Sequence, residues 1–233
     1  GQRIALRHLI RAAAIKSAND AASAIGEGIS GSPEKFAQRM NRTAKAIGMT
    51  SSTFVNANGL TAKGHLSTAR DMSILGRRLF YDFPQYYNIF SRRETDAGVS
   101  DVVSTNRRFL DAYKGADGIK TGFTNAAGFN LTASAERNGV RIIATVFGGT
   151  STAQRNAKVA ELLDLGFASV KPGKTVVPPS APAYEAAPAD DPALLADSND
   201  PNARVMGAKT VRVAGSVASS PRPRMRPARV DPA

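Results

Sequence analysis

The stretch Asn130–Gly149, NLTASAERNGVRIIATVFGG, decides the fold. Small and apolar residues alternate with polar ones on both sides of Asn138-Gly139. Asn-Gly between two such runs is the strongest short hairpin signal, because the tight turn needs positive φ at both central residues. Two antiparallel strands are therefore predicted around Arg137-Asn138-Gly139. On the N-terminal side, Gly115–Thr124 (GADGIKTGFT) predicts a third strand, entered through Gly118. On the C-terminal side, Ser151 and Gln154 have the spacing of a capping box. They open a helix through Leu162, Leu163 and Leu165, expected to stop at Gly166.

Before about Asn106 the pattern is helical. Ile4, Leu6, Leu9, Ile10 and Ala13 mark one apolar helix, and Asp20 is the expected cap of a second through Ile25. Ser32-Pro33 opens a third, with serine at the cap and proline at the first helical position. Its apolar face is Phe36, Met40, Ala44 and Ile47, and Gly48 ends it. STARDMSILGRRLF, residues 67–80, predicts a further helix capped by Ser67 or Thr68. Helices first, then an antiparallel meander, then a covering helix define an α+β class.

Composition changes near Ser169, beyond which lie all prolines except Pro33 and Pro84. Residues 1–168 form the expected folded domain, with 1–100 mainly helical and 101–168 holding the sheet and last helix. Residues 169–233 read as a Pro/Ala-rich disordered tail. Within it, KTVRVAGSV suggests one weak strand, and SSPRPRMRPARV is a basic segment read as a solvated tail, with contact to an anionic envelope surface as the alternative. The net charge of +12 suggests an anionic partner or surface, with plain solubility as the simpler reading. The basic residues are scattered and no aromatic-basic stacking motif accompanies them, which argues against nucleic acid. There is no cysteine, and only His8 and His65 among histidines, so no thiolate or histidine-rich metal site is expected. No apolar run reaches the roughly 20 residues of a membrane span. The sequence starts at Gly1 rather than Met, which leads to the expectation that it is cut from a longer protein.

Two short polar runs interrupt apolar sequence. KSANDAA, residues 16–22, carries Ser17 and Asn19 between two helices, where serine and asparagine are also ordinary helix-start residues. GIKTGFT, residues 118–124, carries Lys120-Thr121-Gly122 on a strand. An edge strand protected by lysine and bulged at glycine would read the same way. Functionally, lysine brings charge, threonine a hydroxyl, and glycine space for an extended peptide ending in a carboxylate.

Taken together, Ser-x-Asn followed by Lys-Thr-Gly is two thirds of the signature of the penicillin-recognising serine enzymes. The segments SANDAASAIGE, MNRTAKAIGMTSSTFVNANGL, GHLSTARDM and GADGIKTGFTNAAGFNLTASAERNGVRIIATVFGG closely resemble the low-molecular-weight D-alanyl-D-alanine carboxypeptidases from about Arg3 to Phe167. The resemblance implies a β-lactamase/penicillin-binding-protein-like fold and acyl transfer from a stem peptide ending in D-Ala-D-Ala, with β-lactams as inhibitors. It implies no metal or organic cofactor and an exported, periplasmic or envelope location. It assigns catalytic roles to Ser17, which relays a proton to the leaving amine, and Lys120, which assists electrostatically. Asn19 binds a substrate amide, Thr121 meets the terminal carboxylate, Gly122 leaves room, and the backbone N–H of Phe123 joins the oxyanion hole.

The family's nucleophile lies in a Ser-x-x-Lys upstream of Ser-x-Asn, and this sequence does not contain it there. Its only Ser-x-x-Lys is Ser32-Pro33-Glu34-Lys35, read as a helix cap with a surface lysine. The chain alone is accordingly expected to be inactive. It is also expected to be poorly stable, with a strand edge uncovered where the family's N-terminal strands would lie. A catalytically dead relative that binds peptidoglycan or an envelope partner is the alternative. A class A β-lactamase-like hydrolase is a further one, although no deacylating glutamate loop is evident.

Overall fold

The computed structural model describes residues 3–171 and 177–182. The expected strand and basic segment near the C-terminus lie outside these residues. Six α-helices and five strands occur among the described residues. They are α1 (Leu6–Arg11), α2 (Asn19–Ser30), α3 (Pro33–Ile47), α4 (Ala69–Asp82), β1 (Glu94–Asp96), β2 (Asp101–Val103), α5 (Arg107–Ala112), β3 (Ala116–Thr124), β4 (Gly128–Arg137), β5 (Val140–Gly149) and α6 (Thr152–Ser169).

The hairpin stands where the sequence puts it. β4 pairs antiparallel with β5 through Arg137↔Val140, and Asn138 and Gly139 both have positive φ. β3 adds on the other side of β4, with Lys120 opposite Thr132 and Gly122 opposite Asn130, giving the order β3-β4-β5. β1 and β2 form a separate two-stranded ladder that the sequence did not announce, because strands of three residues carry almost no periodicity.

Alternation along β4 divides the sheet's two faces. Leu131, Ala133 and Ala135, with Ala144 of β5, meet Val159 and Leu163 of α6 in the main core. Thr132 and Ile143 lie instead against Gly76 of α4. This second interface is mixed, and its hydroxyls pair with one another: Ser73 of α4 bonds Thr145 at 2.8 Å, and Thr145 bonds Thr132 at 3.1 Å. Hydrophobic burial thus fixes α6, while pairing of Ser73, Thr132 and Thr145 lets α4 approach without orphaning those hydroxyls. Beyond α6, Arg77 and Arg78 of α4 donate to the carbonyls of Val177 (2.5 Å) and Ser180 (2.6 Å), tying that segment to the helix.

Most helix ends follow their local sequence signals. Ser32 accepts from the Lys35 N–H at 3.2 Å, and Thr68, not Ser67, caps α4 by accepting from Asp71 N–H at 3.1 Å. Gly48 closes α3 with φ of 93°. Ser151 accepts from Gln154 N–H at 3.1 Å, while the Gln154 amide oxygen accepts from Thr150 N–H at 3.2 Å. Two expectations are corrected. Asp20 does not cap α2: the cap position is Ala18, and the Asp20 carboxylate accepts from its neighbour Ala21 N–H. Gly166 does not stop α6, which continues to Ser169. A Cβ at Gly166 would sit 2.6 Å from Ile142 Cγ2, so glycine is there to let helix and sheet approach.

Candidate active site

After α1 the chain runs into a π-helical turn, Ala12–Lys16, and ends it at Ser17 in the left-handed region, φ 65° and ψ 38°. A non-glycine residue there is strained, and π-turns concentrate at functional sites. The Ala18 N–H reaches back to Ala12 O at 3.1 Å, and α2 starts at once with Asn19. The ordinary helix-start explanation fails for both residues. The cap of α2 is Ala18, with no side-chain bond, and the Asn19 amide makes no hydrogen bond among the described residues. Strain and an unspent polar group stand together at this turn.

Across from it runs β3. Lys120 Nζ donates to Ser17 Oγ at 2.8 Å and to Thr121 O at 2.8 Å. The two polar runs, 103 residues apart in sequence, therefore meet. Burial, with the nearby Arg155 charge adding to it, lowers the Lys120 ammonium pKa from 10.5 to about 8. Thr121 Oγ1 lies 2.7 Å from Thr105 Oγ1. A Cβ on Gly122 would meet nothing nearer than Asn130 Cβ at 3.9 Å, so internal packing does not demand glycine there.

Ser17, Asn19, Lys120, Thr121, Gly122 and Phe123 all line one cleft of about 820 Å³. Its opposite wall is the loop after α3, held by Asn41, whose side chain bonds the Phe54 carbonyl (2.9 Å) and N–H (2.7 Å). Its described lining includes Lys120 and Arg155 but no aspartate or glutamate. The charged side chains of the described lining are therefore all basic. Ser17 is the only serine among the described lining residues; Ser32 is not among them. No cluster of three or more metal-binding side chains occurs among the described residues.

Sequence reasoning missed three site residues. Arg155 is 4% exposed yet lines the cleft, fixed by bonds to Asn156 Oδ1 and Asn130 O. It sits in the first turns of a helix that reads as purely structural, so only tertiary contact reveals it. His65 lines the far wall, its Nδ1 accepting from Val55 N–H at 3.1 Å, and burial lowers its pKa. Thr105 belongs to a segment without periodicity. Its only hint was the polar run Ser104-Thr105-Asn106 ahead of the apolar Phe109-Leu110.

Residues 1–151 match the family described as D-alanyl-D-alanine carboxypeptidase. The D-alanyl-D-alanine carboxypeptidase DacF of Bacillus subtilis is 41% identical over 172 residues, covering 72% of this chain and 44% of that protein. DacC of Escherichia coli is 36% identical, with 76% and 46% covered. Penicillin-binding protein D2 of Listeria monocytogenes, solved in an ampicillin-bound form, superimposes with a TM-score of 0.66 at 35% identity, covering 70% of this chain and 67% of that one. The fold is that of the penicillin-binding D,D-peptidases, and the chain belongs to the D-alanyl-D-alanine carboxypeptidase family. It spans less than half the length of these two curated relatives.

Proposed function

We propose that this chain supplies two walls of the active site of a serine-type D-Ala-D-Ala carboxypeptidase acting on peptidoglycan stem peptides at the cell envelope, with β-lactams as inhibitors. The observation that carries the reading is the 2.8 Å bond from Lys120 Nζ to Ser17 Oγ in a cleft whose described charged lining is basic. In the reaction, a serine attacks the D-Ala-D-Ala amide carbonyl, the C–N bond breaks, and D-alanine leaves. Ser17 hands its proton to the departing nitrogen and is resupplied through Lys120, whose lowered pKa makes it a usable donor near neutral pH. Water then releases the acyl group. Asn19 holds a substrate amide, Thr121 and the positive wall receive the terminal carboxylate, and the Phe123 N–H stabilises the oxyanion. The basic tail adds affinity for anionic envelope polymers.

A second reading is that the chain binds such peptides without cleaving them. It is favoured by Ser17 being the single serine among the described lining residues, since the relay role leaves no other serine among them to be acylated. Labelling with a fluorescent penicillin, together with dipeptide binding, tests both readings on the chain itself. We expect no covalent label on the 233-residue chain but reversible binding of an acylated D-Ala-D-Ala dipeptide, weakened by Lys120→Ala. A label abolished by Ser32→Ala would make Ser32 the nucleophile and overturn its assignment as a cap. Absence of stereoselective dipeptide binding would defeat both readings.

A further inference from the structure

We infer that Thr105 is a positioning residue that aims the Thr121 hydroxyl at the ligand carboxylate; this rests on the proposed role of Thr121. Two backbone hydrogen bonds and a buried neighbour hold the segment around Thr105. Ser104 N–H bonds Arg93 O at 2.8 Å, Thr105 N–H bonds Ile15 O at 3.1 Å, and the next residue, Asn106, is buried. Ile15 lies two residues before Ser17, so Thr105 bridges the Ser17 turn to β3. Its hydroxyl then meets that of Thr121 at 2.7 Å inside the cleft.

A hydroxyl has one proton and two lone pairs, so the direction of this bond decides what Thr121 offers. If Thr121 donated to Thr105, a carboxylate in the cleft would face lone pairs. A carboxylate only accepts, so its arrival selects the opposite sense: Thr105 O–H donates to Thr121, and Thr121 O–H points at the ligand. The chain polarises along its length, strengthening the terminal bond. With Thr105 absent as donor, the Thr121 hydroxyl rotates freely and must be ordered on binding. The device therefore confers preference for a free carboxylate over its amide, not affinity in general.

The test compares dissociation constants of N-acetyl-D-Ala-D-Ala and its C-terminal amide, measured by amide-shift titration of the full chain. Wild type should prefer the carboxylate. Thr105→Val, nearly isosteric, should lower the ratio about five-fold, on the scale of a weakened bond to a charged group, and Thr105→Ser should keep it within about two-fold. An unchanged ratio in Thr105→Val overturns the inference, and so does equal loss in Thr105→Ser, which would show that bulk rather than the hydroxyl matters. If Thr105→Val does not fold, Thr105→Ala is read by the same criteria. A wild type that binds both ligands equally defeats the Thr121 assignment itself, which separates that failure from failure of the relay.

Discussion

Gly122→Ala separates a functional glycine from a structural one. An added Cβ meets only Asn130 Cβ at 3.9 Å, an ordinary contact, and Gly122 is not among the glycines with positive φ. The protein side therefore accepts alanine. Glycine inside a strand costs roughly 0.5–1 kcal/mol relative to alanine through backbone entropy, so the variant should be as stable as wild type or more stable by about that amount. On the ligand side the methyl enters a cleft meant for an extended peptide. Overpacking of about 1–3 kcal/mol lowers affinity roughly five- to 150-fold. Urea unfolding measures the first quantity and titration with N-acetyl-D-Ala-D-Ala the second. Opposite movement of stability and binding is the expected signature. Unchanged affinity would mean that no ligand lies against Gly122, and a loss of stability above about 1 kcal/mol would show that glycine is structurally required there.

Gly166→Ala should move stability the other way. The 2.6 Å approach to Ile142 Cγ2 outweighs the gain in helix propensity of up to about 1 kcal/mol, and the net result is destabilisation of roughly 1–2 kcal/mol. Stabilisation in a urea melt would refute the close packing, and Ile142→Ala should relieve the penalty. Lys120 should titrate near pH 8 by side-chain NMR while exposed lysines titrate near 10.5. Its folded-state pKa is depressed, so between pH 8 and 10.5 the unfolded chain binds more protons and stability rises with pH, by at most about 3 kcal/mol. Lys120→Met should lose that rise, and an identical pH profile in the variant would contradict the buried ammonium. Ser32→Ala should cost about 1 kcal/mol as a lost cap while leaving dipeptide affinity unchanged. A fall in affinity would bring Ser32 into the site.

The meander, its hairpin turn and three helix caps were legible because each rests on local chemistry: Asn-Gly at φ above zero, and serine or threonine accepting from the third N–H of a helix. Ser17, Asn19, Lys120 and Thr121 stood out as polar residues in apolar sequence, but their roles, and those of Gly122 and the Phe123 N–H, came from the family resemblance; the structure brings all six residues to one cleft. What failed was tertiary. Gly166 looked like a stop because the close approach of Ile142 is invisible in sequence. Asp20 looked like a cap because the left-handed turn at Ser17 shifts the helix start to Asn19. Arg155 and Thr105 acquire meaning only across from β3, where one supplies charge and the other a hydroxyl. The domain boundary near Ser169 remains a proposal, although α6 ends at that residue.

The most direct test of the central claim is an amide chemical-shift map of the isotopically labelled chain titrated with N-acetyl-D-Ala-D-Ala. The account requires saturable shifts concentrated at Ser17, Asn19, Lys120–Phe123, Thr105 and Arg155, sharply reduced with the L-Ala-L-Ala dipeptide. Shifts clustered elsewhere, or equal responses to both stereoisomers, would mean that the Ser17–Lys120 contact is a structural bond and that the cleft is not a D,D-peptide site.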